Sequence, residues 1–405
     1  MKVAYYSPMP PSRSGVADYS ALLLPELRKH VEVTVVRSGR FRLMPRADVS
    51  LYHVGNDPDA HGWIARALAA RPGVVVLHEF VLHHLVAGLT LARGDSRGYL
   101  DAMERGHGLA GRLLAFGVTE GRIPPLWETR PEQFPLAGDV LASSRGLIVH
   151  SRFVEERARA AGYEGPIWRV PHPSWPLPDA APAEVEGNPL FGCFGHLNES
   201  KRIPQLLSAF TRLRQTHPDA RLLLVGAFAS RLQGLEIPEG VIREDYVSEE
   251  RLWSLMRACD AIVSLRSPTM GETSGSAIRA LTLGKPLVVS DVGWFSELPD
   301  DVAIRVPVDE REAETLLGAL EALAADEPRR VGMGAAARDL VERDHGLPRV
   351  AELYASALEE AAGGKPVRDA VLREVAEAAA AVGIGADDPE AVELAARLDE
   401  VGLGG

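Results

Sequence analysis

Twelve short apolar runs, six on either side of one proline-rich passage, constrain this 405-residue chain more than any other feature. The first six are Lys2 to Tyr6, Val31 to Val36, Val49 to Val54, Val74 to His78, Leu147 to His150 and Ile167 to Val170. Amphipathic stretches such as Tyr19 to Arg28, Asp59 to Ala70 and Phe153 to Ala161 separate them. Runs so short and so apolar predict strands buried on both faces, and helices between them predict a parallel, doubly wound sheet. The passage PHPSWPLPDAAPAEVEGNP fits neither a central strand nor a helix, because proline has no N–H to donate and a fixed φ. Six more runs follow it: Leu190 to Gly195, Arg221 to Val225, Val241 to Arg243, Ala261 to Leu265, Leu287 to Ser290 and Val302 to Arg305. The expected fold class is therefore α/β, with two Rossmann-like doubly wound parallel-sheet domains facing across a cleft. Ligands of such sheets sit at the carboxyl ends of the strands. The boundaries implied are 1–172 for the first domain, with a helical insertion at about 83–134, 173–188 for the linker, and 189–360 for the second domain. Residues 361–405 form a tail whose helical period, at Val367 to Ala381 and Pro389 to Val401, reads as solvated amphipathic helices.

The composition, 46% hydrophobic and 25% charged, is that of an ordinary soluble chain, and its length suits two domains at about 150 residues each. No run approaches the roughly 18 to 20 apolar residues of a membrane span, and MKVAYYSP reads as a buried strand rather than a signal peptide. A cytoplasmic location is expected. A net charge of −12 argues against a nucleic-acid partner, which needs a concentrated basic face. Cys193 and Cys259 lack metal-ligand spacing and are expected to pack as small hydrophobes without a disulfide.

The most specific segment is DAIVSLRSPTMGETSGSAIRALTLGKPLVVSDVGWFSELP, residues 260–299. A buried strand is followed by a small-residue loop that holds Glu272, and a helix begins near Ser274 or Gly275. The free N–H groups at Gly275 and Ser276, with the positive end of the helix dipole, suit phosphate oxygens, and Glu272 suits sugar hydroxyls. The bland alternative is that Glu272 only caps the helix. With Gly284-Lys285-Pro286 closing the helix, the segment resembles the nucleotide-sugar half of glycosyltransferase family 4, the group 1 retaining glycosyltransferases of GT-B architecture. That family typically carries a second glutamate, holding the nucleotide ribose, eight residues after the first. Here the position is Ala280, or Arg279 when counted back from Gly284.

Other loops extend the resemblance. Ser14-Gly15 in PMPPSRSGVADYS is similar to the family's glycine loop, where Gly15 lets the backbone approach a phosphate; Arg13 and Asp18 border it and either meet the acceptor or cap the helix. His78 stands where the family has a histidine beside the reacting sugar, and Glu79 follows it. His83 and His84 invite a metal reading, but the set lacks a zinc signature and the family needs no metal. In FGCFGHLNESKRIPQLLSAF, Gly195 and Lys201 match the family's glycine and diphosphate-binding lysine. His196 replaces its arginine and Arg202 its second glycine, with Arg202 a candidate to restore the missing charge. Tyr246 and Val247 lie where the family contacts the nucleobase, and Tyr246 either stacks there or fills core. Glu297 matches a frequent glutamate near the site, and Trp127 marks the insertion on the acceptor side.

The resemblance implies a retaining transfer of a hexose from a UDP- or GDP-sugar to a hydroxyl acceptor: a sugar, glycan or lipid-linked glycan. No metal or cofactor is implied beyond the nucleotide-sugar donor, and peripheral membrane contact is compatible with it. His78, Lys201 and Glu272 are the catalytic candidates. Gly15, Gly195, His196, Arg202, Tyr246, Val247, Ser274, Gly275, Ser276 and Arg279 are the further donor-binding candidates. Two alternatives stay open: a nucleotide-sugar-binding protein without turnover, and a dehydrogenase or epimerase, which the lack of G-x-G-x-x-G after the first strand disfavours.

Overall fold

The computed structural model describes residues 1–12, 14–38, 45–363, 365–385 and 388–400. Its strands are β1 (Lys2–Tyr6), β2 (Glu32–Val36), β3 (Val49–Val54), β4 (Gly73–Leu77), β5 (Ser144–Val149), β6 (Ile167–Arg169), β7 (Leu190–Phe194), β8 (Arg221–Val225), β9 (Val241–Glu244), β10 (Ala261–Ser264), β11 (Leu287–Ser290) and β12 (Ala303–Val306). The helices of the first part are α1 (Gly15–Leu27), α2 (Pro58–Ala70), α3 (His83–Leu89), α4 (Ser96–Thr119), α5 (Leu126–Thr129), α6 (Gly138–Ala142) and α7 (Arg152–Ala160). Those of the second are α8 (Ile203–Leu213), α9 (Glu249–Ala258), α10 (Gly275–Thr282), α11 (Glu312–Ala325), α12 (Glu327–Asp344), α13 (Leu347–Ala361), α14 (Lys365–Ala381) and α15 (Pro389–Glu400). Each apolar run falls on a strand.

Among the described residues the strands form two six-stranded sheets, ordered β2-β1-β3-β4-β5-β6 and β12-β11-β10-β7-β8-β9. Every pairing between them is parallel, from Val3 against Val49 to Leu287 against Ala303. β3 and β4 are buried along their whole length, as expected for strands with helices on both faces. α8 covers the second sheet with one continuous face, Leu206, Leu207, Phe210 and Leu213, each worth about 1.5–3 kcal/mol when buried. Cys193 and Cys259 are free and buried in the cores of this half.

The domain boundary expected at residue 360 moves to an earlier point. α13 leaves the second half and returns to the first, where Val350, Ala351, Tyr354 and Leu358 are buried with Val3, Tyr5, Leu23 and Leu27. The Tyr354 hydroxyl lies 2.7 Å from that of Tyr19 on α1, and Trp168 Nε1 donates to Glu360 at 2.7 Å. An amphipathic helix goes to whichever core leaves an apolar stripe uncovered, and here that is the outer face of the first sheet. The two passages of chain between the halves are themselves joined: Ser174 N–H donates to the His345 carbonyl at 2.8 Å, and His345 Nδ1 pairs with the His172 carbonyl at 2.7 Å.

The insertion is helical, as expected. α4 breaks at His107–Gly108 and doubles back, so that Arg112 reaches Asp101 at 2.6 Å and Glu104 at 2.7 Å. A Cβ on Gly111 would lie 2.4 Å from the Met103 carbonyl oxygen, so only glycine fits this close approach. α14 and α15 occupy the tail.

Tyr354→Ala tests the reassigned boundary. Truncating a fully buried aromatic should cost about 3–5 kcal/mol, and the loss should fall on the first half although the residue lies late in the chain. Urea denaturation followed by amide exchange should show β1–β6 losing protection first while β7–β12 are unchanged. Uniform destabilisation of both sheets would contradict the packing described.

Candidate functional site

A doubly wound sheet opens a crevice where strand order reverses, between β1 and β3 in the first half and between β7 and β10 in the second. The loops at these two points face each other across a cleft of about 540 Å³. Ser14, Gly15, Asn56, His78 and Glu79 line it from one side, and Gly195, His196, Lys201, Arg266 and Glu272 to Ser276 from the other.

Two helices point their N-termini into the cleft. Ser14 caps α1, accepting from Val16 N–H at 3.3 Å, and Ser274 caps α10, accepting from Ala277 N–H at 3.3 Å and lying 3.1 Å from Ser276 Oγ. Each cap satisfies one of the four free N–H groups of a first turn, so others remain to meet an anion. A Cβ at Gly275 would come within 3.3 Å of the Trp175 ring, whereas at Gly15 it would meet nothing within 4 Å.

Two cations lie beside these helix ends. Lys201 is buried, donates to the Phe194 carbonyl at 2.7 Å, and passes under Gly195, whose φ of +99° suits glycine. Burial first, and then the neighbouring Arg266, lower the Lys201 ammonium to about 8. Arg266 Nε stands 2.8 Å from Glu272 Oε1, and its terminal nitrogen donates to Ser200 Oγ at 2.9 Å. Glu272 Oε2 accepts from Met270 N–H at 2.8 Å and from Thr269 Oγ1 at 3.3 Å, so the carboxylate is held in one orientation.

Glu79 has no such cation in contact. Its Oε2 accepts from Asn56 N–H at 2.6 Å, and burial followed by the Glu272 charge raises its carboxyl to about 7. His78 Nε2 lies 2.9 Å from His53 Nδ1. Burial and the surrounding imidazoles of His53 and His150 push His78 well below the usual range, so it is neutral at pH 7. The tautomer in which His53 donates leaves the unpaired buried His53 Nε2 a bare acceptor, which costs less than an orphaned N–H.

The structure separates the two ways of counting to the family's second glutamate. Ala280 is fully buried in the core of the second half, and Arg279 lines the cleft. Of the two, Arg279 is the one whose side chain a ligand in the cleft would meet. Its guanidinium lies 3.7 Å from the centroid of the Trp175 ring, 3.6 Å from Glu249, and within electrostatic reach of Asp18 on α1.

Four candidates lie away from the cleft lining. Arg202, left-handed at φ 55°, turns outward and its Nε donates to Glu312 at 2.8 Å, with a second bond from its terminal nitrogen to the same carboxylate. It neutralises a buried acid instead of restoring the charge missing at His196, and Arg266 is the arginine beside Lys201. Tyr246 is 79% exposed, so it does not fill core, and Val247 packs against the core of the second half. Trp127 packs within the insertion, 5.8 Å from His83 and 6.0 Å from Tyr99 in edge contact. Arg13 lies outside the described residues. His83 is buried and bonded to the Tyr99 hydroxyl at 2.8 Å while His84 is exposed, and no group of three histidine, cysteine or carboxylate side chains among the described residues is arranged to hold a metal ion.

Glu297 has a different place from the one expected. It reaches across to the first half, where its two oxygens accept from Arg152 N–H at 3.0 Å and Phe153 N–H at 2.7 Å, at the N-terminus of α7. Nearby, Phe80 and Val81 N–H groups donate to the Met270 carbonyl at 2.8 and 3.0 Å, and Thr269 N–H donates to Glu132 at 2.9 Å. These bridges place Glu79 opposite Glu272. Arg266, Asn56 and Trp175 were not singled out in the sequence. Arg266 alone carried a signal, as a charged residue directly at the end of an apolar run.

Residues 179–340 match the family of group 1 glycosyl transferases. The fold is that of GT-B glycosyltransferase structures. Anabaena Alr3699/HepE in complex with UDP-glucose superposes with a TM-score of 0.58 at 16% identity, over 89% of this chain and 100% of that one. Sucrose-phosphate synthase from Thermosynechococcus elongatus gives 0.57 at 17% identity, over 89% and 98%. AviGT4, a glycosyltransferase involved in avilamycin A biosynthesis, gives 0.51 at 17% identity, over 90% and 99%. No curated protein sequence matches the chain. The family match and the shared architecture support a glycosyltransferase that takes its sugar from a nucleotide sugar. No helix among the described residues is long and apolar enough to cross a membrane.

Two predictions arise from this geometry. Glu79 has a folded-state pKa of about 7, above its unfolded value of about 4.3, so the fold penalises the charged form increasingly from about pH 4.5 to 7. Glu79→Gln should therefore raise the melting temperature at pH 8 and leave it nearly unchanged at pH 4.5; an equal shift at both would show that the carboxyl is not perturbed. Glu297→Ala removes two charge-assisted bonds, each worth about 1.5–3 kcal/mol, and should open the cleft, seen as a larger radius of gyration by small-angle scattering. An unchanged scattering profile would show that Glu297 does not hold the halves together.

Proposed function

We propose that the cleft binds a nucleoside-diphosphate hexose and transfers the hexose, with retention, to a hydroxyl of an acceptor in glycan, polysaccharide or glycoconjugate synthesis. The observation that carries this reading is that two helix N-termini, Lys201 and Arg266 line one cleft together with Glu272 and Glu79. A diphosphate is the anion that several separate donors and two cations suit best. UDP-glucose is the first donor to examine, because it is bound in the Anabaena protein of the same fold, and a GDP-sugar is the second.

In this reading Glu272, held by Arg266 and the Met270 N–H, accepts from sugar hydroxyls, and neutral His78 hydrogen-bonds another. The acceptor approaches from the side of Glu79 and Asp18. The acceptor oxygen bonds to the anomeric carbon as the bond from that carbon to the diphosphate oxygen breaks on the same face, and the acceptor proton passes to the departing phosphate. Charge grows on the diphosphate during this step, and Lys201, Arg266 and the α10 N–H groups line the cleft to stabilise it. These groups supply positive charge without a metal or other cofactor. The lack of a second glutamate, and His196 in place of an arginine, favour one second reading, a protein that binds a nucleotide sugar without turning it over.

A thermal-shift screen with UDP- and GDP-sugars should show selective stabilisation by one donor. Release of UDP or GDP in the presence of candidate acceptors separates the enzyme from the binder. Lys201→Ala should lower turnover by roughly 100-fold, as expected for one lost electrostatic stabiliser. It should also cost about 1–3 kcal/mol of stability, because the Phe194 carbonyl loses its donor. Stabilisation by none of the donors, or full turnover in a folded Lys201→Ala variant, would refute the assignment.

A further inference from the structure

Where the insertion meets the first sheet's helices lies a second, open cavity of about 460 Å³, between α2, α3, α4 and α6 and walled by Leu68, Leu82, Leu85, Leu89, Leu136 and Val140. A smaller cavity of about 250 Å³ shares Val86, Ala102, Arg105, Leu136 and Asp139 with it and extends to Gly106. The two adjoin along these shared residues, so the groove walled by α2 and α3 continues towards Gly106 and Gly138. Pockets of several hundred Å³ with mostly apolar walls and a few polar groups are usual ligand sites.

The charges around the groove specify what kind of ligand. Arg105 is already paired with Asp139 at 2.7 Å. Arg66, on the α2 wall, has no acidic partner among the described residues and is repelled by Arg93, which also has none. An uncompensated guanidinium on the wall of an apolar groove, with a second cation in electrostatic reach of it, is complementary to a phosphate or carboxylate at the end of an alkyl chain.

We propose that this groove binds a single-chain anionic amphiphile, an alkyl or prenyl chain lying between α2, α3, α4 and α6 with its phosphate or carboxylate head at Arg66. The site is separate from the cleft and does not depend on the donor. It is nevertheless tied to it: Leu85 N–H on α3 donates to Asn56 Oδ1 at 3.0 Å, and the Asn56 N–H donates to Glu79. A chain seated against α3 therefore lies one residue contact away from the cleft carboxylate.

Titration calorimetry with decyl phosphate and decanoate, below their micelle concentrations, tests the site on the full chain. Two variants at exposed positions, Ala69→Trp to block the groove and Arg66→Glu to reverse the head site, should each weaken binding by roughly 10-fold or more, the equivalent of one charge-assisted contact or more. Both should keep the wild-type melting temperature in the absence of ligand. Decanol alone and inorganic phosphate alone should each bind much more weakly than decyl phosphate. Equal affinity in wild type and Ala69→Trp would overturn the groove as the site, and so would inorganic phosphate competing as well as decyl phosphate. Decanol binding as tightly as decyl phosphate, or no loss in Arg66→Glu, would overturn the anionic head.

Discussion

The ion pair between Arg266 and Glu272 at the end of β10 sets the geometry of everything around it. Both groups are largely removed from water, where an unpaired charge would be costly, so each holds the other in place. With Glu272 fixed, Met270 and Thr269 are drawn into one loop conformation, and the Met270 carbonyl is aimed at the N–H groups of Phe80 and Val81 in the opposite half. One internal contact of the second domain thus determines how the first domain meets it. The same contact leaves Lys201 with a like charge as neighbour and no acid in direct contact, which a bound diphosphate would relieve.

The carboxylates of the cleft differ because their surroundings differ. Glu272 has a guanidinium and an N–H, while Glu79 has only the Asn56 N–H and faces the Glu272 charge across the gap. The first is fixed as an acceptor by the N–H and guanidinium that already bond it. The second sits near its midpoint at neutrality and can either donate or accept. Two acids at the ends of different sheets thereby acquire different chemistry.

Much of this architecture was legible because its determinants are local. Valine- and leucine-bearing runs such as GVVVL and VSLYHV can scarcely be anything but buried parallel strands, and the loops that follow them mark the cleft without further information. What could not be read are partnerships between distant residues. α13 shows an apolar face in sequence, but nothing in that face says that it will cover Tyr19 and Leu23 rather than the sheet it follows. Arg202 looked like a ligand-facing cation until Glu312, 110 residues away, turned it outward. Trp127 looked like a cleft aromatic, yet the doubling back of α4 had already given it His83 and Tyr99. Arg279 and Ala280 could not be told apart by counting, because the loop before α10 does not keep the family's spacing at both ends; burial decided which one faces the cleft.

The hydrogen bonds that join residues 172–174 to His345 have a mechanical meaning. A chain that crosses once between two bodies is a tether and allows them to slide, twist and separate. Two crossings bonded to each other act as a pivot, about which the bodies can turn but past which they cannot translate. Any change in the width of the cleft must then be an angular swing, small near the pivot and growing with distance from it.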